Sequence, residues 1–206
     1  MYFKSENNVI NIKIMPKNNK SLNTLLEILK NHNALENPQQ IKKGSALLSA
    51  NNVAKNIFYI KKGIVKVSFF SEKKRKEATL SFFSEGDLLV PYKSFFEKLP
   101  AKATIIALTD LVFYTIEKDF LDELENEIPA LKDLKFQLVL ERTYEFIDKI
   151  IESAFSFSTR ELYISLLKKK PYLKNVSDEE IGLYFGVDRI TIQRIKREIN
   201  QQKKNK

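Results

Sequence analysis

A chain of 206 residues with 43% hydrophobic side chains has apolar material for one large domain or two small ones, which excludes wholesale disorder. With no cysteine and a single histidine, His32, it cannot hold disulfides, thiolate-bound zinc, iron–sulfur clusters or a multi-histidine metal site, and histidine-dependent triads lose their support, so neither a cofactor nor an enzyme is expected. The net charge of +9 is uneven: residues 156–206 carry 12 basic and 6 acidic side chains against 23 and 20 in residues 1–155, an asymmetry that points to an anionic partner, nucleic acid before a membrane surface.

No apolar run reaches the ~18 residues of a membrane span, and residues 1–20 lack a signal-peptide core, so a cytoplasmic location is expected. Residues 1–40 are Asn/Lys-rich and read as arm or loop. The exception is a short amphipathic helix at 21–30, where Leu22, Leu25, Leu26 and Leu29 share one face. Residues 41–117 read as short strands rich in β-branched and aromatic residues: 56–61 (NIFYIK), 64–70 (IVKVSFF), 78–83 (ATLSFF), 103–108 (ATIIAL) and 111–116 (LVFYTI). Lys62-Gly63, the charged tip 71–76 (SEKKRK), the turn 84–87 (SEGD) and Thr109-Asp110 separate them. Strands at such close spacing predict a sandwich or barrel.

From Glu117 the period changes. Ile128-Pro129 reads as a helix start, followed by a Gly- and Pro-free helical stretch from 130 to about 153. Leu131, Leu134 and Leu138 step by 3 and 4. After a change of phase, Leu140, Tyr144, Ile147, Ile151 and Ala154 step by 4, 3, 4 and 3. Such a seam either covers its own β-domain or pairs with its copy in a dimer. At 1.5 Å per residue it is ~36 Å long, more than a small roll needs, which favours the dimer. Residues 156–159 (SFST) break the pattern and mark a domain boundary. Helices resume at 159–169 and within 177–200, with Lys170-Pro171 as a stop between them.

The segment 177–199, SDEEIGLYFGVDRITIQRIKREI, carries the functional signal. Ser177 and Glu180 fit a capping box that opens a helix over 178–185. Gly186 suits the left-handed position at its end, and Asp188 can cap a second helix from Arg189 to about Asn200. Gly182 is small where the two helices must approach, so the segment reads as a helix-turn-helix. Projected at ~100° per residue, Arg189, Gln193, Arg197, Ile190 and Arg194 fill an arc of roughly 140°, while Ile192, Ile195 and Ile199 lie opposite. Arginine can grip guanine O6 and N7, glutamine can grip adenine, and an isoleucine can touch a thymine methyl.

These residues resemble the helix-turn-helix of the Crp/Fnr family of bacterial transcription regulators, through the string E-I-G…G-V-D-R-x-T-x-x-R-I from Glu180 to Ile195. The upstream order is similar over about residues 20–200: a strand–Gly–strand hairpin (FYIKKGIVKV), the Gly86-Asp87 turn, the strand T-I-I-A-L-T-D and a long helix. The resemblance implies base contacts by Arg189 and Arg194, while Ile190 between them replaces an acidic residue usual in the family and is left to touch a thymine methyl. Gln193 ranks third, and Lys196 and Arg197 are expected on phosphates. The family's β-hairpin wing would follow, but only the polar, basic stretch 200–206 remains, so the wing is expected to be missing or replaced by that tail. In cyclic-nucleotide members a Gly-Glu pair holds the ribose and an Arg-Ser/Thr pair the phosphate. The matching positions in 86–104 read Val90-Pro91 and Ala101-Lys102, which implies that cAMP is not bound in the usual way. Tyr92, Lys93, Ser94 and Lys102 remain as candidates to line a pocket for another effector, against the plainer reading that Phe82, Phe83, Phe95 and Phe96 fill it.

The fold expected is therefore α+β: an N-terminal antiparallel β-roll (jelly-roll, cyclic-nucleotide-binding-like), a long dimerisation helix and a C-terminal helix-turn-helix domain. The boundaries expected are 1–127, 128–155 and 156–206. The expected partners are double-stranded DNA, a second copy of the chain, RNA polymerase and an unknown small-molecule effector, with no membrane. The alternatives are a protein-interaction module working through the long helix and a ligand-binding β-roll protein that never touches DNA.

Overall fold

The computed structural model describes residues 20–204 apart from 74, 156 and 157. The expected arm at 1–19, the middle of the 156–159 boundary and the last two residues of the tail lie outside the described residues. Helix α1 (Lys20–Asn31) opens the chain, buries Leu22, Leu25, Leu26 and Leu29, and packs on the long helix further on. His32 follows its last turn, with Nδ1 2.8 Å from the Ile28 carbonyl oxygen and Nε2 4.0 Å from Glu127 Oε2.

Among the described residues eight strands follow: β1 (Gln39–Ile41), β2 (Ala46–Leu48), β3 (Asn56–Lys62), β4 (Ile64–Ser71), β5 (Lys76–Ser84), β6 (Leu88–Leu89), β7 (Thr104–Ala107) and β8 (Leu111–Glu117). They form two antiparallel four-stranded sheets, ordered β1-β8-β3-β6 and β2-β7-β4-β5. The five strands predicted at 56–116 are all present to within about two residues. Strands β1, β2 and β6 are two or three residues long, too short for alternation to register. Between β6 and β7 the chain turns through α2 (Tyr92–Glu97). The sheets enclose one apolar core containing Ile60, Val65, Phe95, Leu111 and Ile116, each 1% exposed or less.

Helix α3 (Lys118–Glu127) and the long α4 (Ala130–Phe155) come next. The change of phase in α4 now has a cause. Leu131 and Leu138 are buried and Leu134 packs against the same core, so the first half of the helix covers the roll. The second half is bare: Leu140, Tyr144, Ile147 and Ile151 are all exposed, together with Phe146 and Ile150. Ser21 Oγ donates to Gln137 Oε1 (3.3 Å) and Glu141 Oε1 (3.1 Å), tying α1 to the point where the phase changes.

The C-terminal unit contains α5 (Thr159–Lys169), a 3-10 turn (Pro171–Asn175), α6 (Asp178–Phe185) and α7 (Arg189–Lys204). Ser158 caps α5 in a reciprocal box: the Glu161 N–H donates to Ser158 Oγ (3.3 Å), and the Ser158 N–H donates to Glu161 Oε2 (2.8 Å). The box expected at Ser177 is only half formed. The Glu180 N–H donates to Ser177 Oγ (3.3 Å), but the Glu180 carboxylate turns away to the roll. Helix α7 runs four residues past its expected end, so the stretch 200–204 continues the helix. Among the described residues no helix is long and apolar enough to cross a membrane.

Candidate nucleic-acid interface

The surface in question is one side of α7, and its placement begins with caps. Gly186 sits at φ 69°, a conformation that costs a glycine little, and its N–H region closes α6. Asp188 then starts α7: the Thr191 N–H donates to Asp188 Oδ1 at 2.6 Å. That bond, first among several, holds the Asp188 carboxyl below its ordinary range, so the cap persists until acid titrates it away. The helices lie close enough that a Cβ on Gly182 would stand 2.7 Å from the Val187 carbonyl oxygen. Backbone cannot step aside as a side chain can. Gly182→Ala is therefore expected to destabilise by about 1–3 kcal/mol, read as a fall in melting temperature. An unchanged melting temperature would show that the helices are not held this closely.

Helix α7 is anchored by its isoleucines. Ile192 is fully buried, Ile195 is 4% exposed and Ile199 is half-buried, packed with Tyr163, Leu166, Leu173, Val176 and Ile181. Burial raises the Tyr163 hydroxyl's pKa above its ordinary value. The opposite arc faces water. Arg189, Arg194 and Arg197 are exposed, Gln193 is half-buried and Ile190 is 71% exposed, an unusual position for so large an apolar side chain. Arg194 Nε stands 3.9 Å from Glu198 one turn on, and Arg197 Nε donates to the Gln193 carbonyl oxygen at 3.4 Å. Both are weak, solvent-exposed contacts that leave the guanidinium groups available. Lys196 is placed differently: its ammonium pairs with Asp178 of α6, inside the helical unit rather than out on the arc. At ~100° per residue it falls at about 340°, outside that arc, where Asp178 reaches it from α6.

The helical unit docks on the outer face of the β4–β5 sheet. Ile64 and Phe82 join its apolar cluster, and Lys170 Nζ and Tyr172 Oη (3.2 Å) both donate to the Phe82 carbonyl oxygen. Lys66, 5% exposed, bridges the two units: Nζ is 2.9 Å from Glu77 Oε1 on β5 and 2.9 Å from each Glu180 oxygen. Burial alone pulls the Lys66 pKa down, but Glu77 and Glu180 together hold it above the ordinary lysine value. Burial likewise pushes Glu77 up, and the Lys66 and Ser68 hydrogen bonds outweigh it, leaving that carboxyl below its usual range. Sequence reading missed Lys66 because it sits in an alternating strand where a lysine signals solvent.

The four effector candidates are scattered. Ser94 is 3% exposed and its hydroxyl is used within the fold, accepting the Ala54 N–H (2.8 Å) and donating to the Asn52 carbonyl oxygen (3.5 Å). Tyr92 lines a narrow apolar slot between α1, the roll and α4, with Leu22, Leu25, Ile57, Phe96 and Leu138. Lys135, at the slot's polar side, is paired with Glu125. Lys93 and Lys102 are exposed, and neither lines this slot or the shallower depression beside β2. The residues at the positions matching the family's phosphate site do not fit a cyclic phosphate. The Ala101 N–H is spent on the Asn52 carbonyl oxygen (2.8 Å), and Lys102 is an exposed point charge where the family has an arginine fork; at the ribose position Pro91 has no N–H.

Two apposed antiparallel sheets, a covering helix and a basic helical unit define a β-roll protein with an appended C-terminal head. Residues 38–127 match the cyclic nucleotide-binding domain family. Among solved structures the chain is similar to the c-di-GMP responsive global regulator CLP of Xanthomonas campestris (14% identity, 86% of this chain and 92% of that one, TM-score 0.66). It is similar also to FixK2 of Bradyrhizobium japonicum (13%, 81% and 85%, TM-score 0.67) and to a transcriptional regulator of the crp/fnr family from Eubacterium rectale (16%, 85% and 82%, TM-score 0.65). At these identities the likeness is one of fold. No curated protein matches the chain in sequence. Residues 38–127 are thus similar to a cyclic nucleotide-binding domain, and the chain shares its fold with Crp/Fnr transcriptional regulators.

Proposed function

We propose that this chain is a sequence-specific DNA-binding transcription regulator of Crp/Fnr type, a cytoplasmic homodimer and not an enzyme. Residues 1–127 form the effector domain, 128–155 the dimerisation helix and 156–206 the helix-turn-helix domain. The observation that carries this reading is the outward arc of Arg189, Ile190, Gln193, Arg194 and Arg197 on a helix anchored by buried isoleucines. Arg189, Ile190 and Arg194 read base edges, Gln193 assists, and Arg197 meets phosphate. Lys196, first expected on phosphate, serves instead by bracing α7 against Asp178. The bare half of α4 pairs with its copy, setting two recognition helices about 34 Å apart on successive major grooves of a palindromic site. An effector other than conventionally bound cAMP, or RNA polymerase docking on the roll, acts by biasing the pose of the two heads.

The test is enrichment from random duplexes by the intact protein, followed by titration of a selected duplex at several salt concentrations. One palindromic family of sequences is expected, and log affinity is expected to fall with log salt at about −0.9 per phosphate neutralised. A flat salt response with no enrichment would overturn the reading in favour of a protein-interaction module.

A further inference from the structure

Strand β4 is buried on both faces at Ile64, Val65, Lys66 and Ser68, with Val67 half-buried between them. Val65 belongs to the roll's core, whereas Ile64 and Lys66 lie under the helical head. Lysine is almost never this buried unless paired, and here the pairing is divided between the units: one carboxylate comes from the roll, the other from the head. With the head undocked, Lys66 keeps Glu77 alone and Glu180 loses its partner. The apolar contacts of Ile64 and Phe82 with Tyr163, Leu166 and Ile181 tolerate sliding, because dispersion and burial are indifferent to small shifts. An ammonium 2.9 Å from three carboxylate oxygens is not indifferent, and fixing register is the best-attested use of a buried ion pair. The pose of α6 is also the pose of α7, because Gly182 brings the two helices into backbone contact with Val187.

We infer that Lys66 is a positioning residue for DNA reading: through Glu180 it fixes the head on the roll in one register, and so fixes the separation of the two recognition helices in the dimer. This rests on the function proposed above. The full-length chain is tested on duplexes carrying two selected half-sites at varied separations, and its small-angle X-ray scattering is recorded without DNA. The wild type is expected to prefer one separation. Lys66→Met is expected to lose about tenfold of that preference, accepting neighbouring separations, while binding an isolated half-site with unchanged affinity. Its scattering profile broadens as the heads leave their single pose. Glu180→Gln, which keeps Lys66 paired to Glu77 inside the roll, moves both readouts in the same direction and decides the matter if Lys66→Met does not fold. Wild-type separation preference and wild-type scattering in the variants would overturn the inference. If the wild type enriches no duplex at all, the proposed function falls, and the scattering comparison still decides whether Lys66 sets the pose.

Discussion

Replacing Arg189 and Arg194 together by alanine is expected to remove sequence enrichment while leaving the fold intact. Each arginine gripping a guanine is worth about 1–3 kcal/mol of discrimination. The pair therefore carries much of the gap between specific and non-specific binding at each half-site, and affinity for the selected duplex falls at least a hundredfold, ~2.7 kcal/mol. Weak, salt-sensitive binding survives, because the remaining lysines and arginines still meet phosphate. The fold is spared because both side chains are exposed and Arg194 has only a distant partner, Glu198 at 3.9 Å. Circular dichroism and melting temperature serve as the control, and fluorescence anisotropy on the selected duplex as the measurement. A folded double variant that still enriches the same sequence would remove α7 from the interface.

The second large effect is expected on the long helix. Ile147 and Ile151 are 42% and 45% exposed and belong to neither apolar cluster of the isolated chain. If they meet their copies, glutamates at both positions put four carboxylates into an apolar seam. Burying one large aliphatic side chain contributes about 1.5–3 kcal/mol, and an unpaired buried charge costs more still. Dimer dissociation is therefore expected to strengthen by at least about a thousandfold, ~4 kcal/mol, giving monomer at micromolar concentration in sedimentation. The roll should be undisturbed, since its cover comes from Leu131, Leu134 and Leu138 in the first half of α4. A variant that still sediments as a dimer would place the dimer contact elsewhere.

What the sequence disclosed, it disclosed through residues with strong local chemistry. Helices α5 and α6 fall at the predicted bounds and α7 starts where predicted, because Pro171, Ser177, Gly186 and Asp188 dictate backbone angles or cap bonds within a few residues. The isoleucine and arginine arcs of α7 followed from helical period alone. The phase change in α4 was visible, but its meaning was not. Only the packed roll shows that Leu131 and Leu138 face inward while Leu140 and Ile147 are left over. Contacts made by distant segments stayed hidden. Ser94 looked available for a ligand until Ala54 and Asn52 arrived from the loop before β3 to occupy it. Glu180 looked like a local capping partner until Lys66, 114 positions earlier, proved the stronger attraction.

Strand β4 has one more consequence. Neighbouring residues Ile64 and Val65 feed different apolar clusters, so a single ribbon of backbone serves as a party wall between two rooms. Neither side can be remodelled privately: a methyl gained or lost at Val65 displaces the ribbon to which Ile64 and Lys66 are attached. Inherited change should accumulate slowly here, and the two halves of the molecule should melt as one cooperative body rather than in sequence.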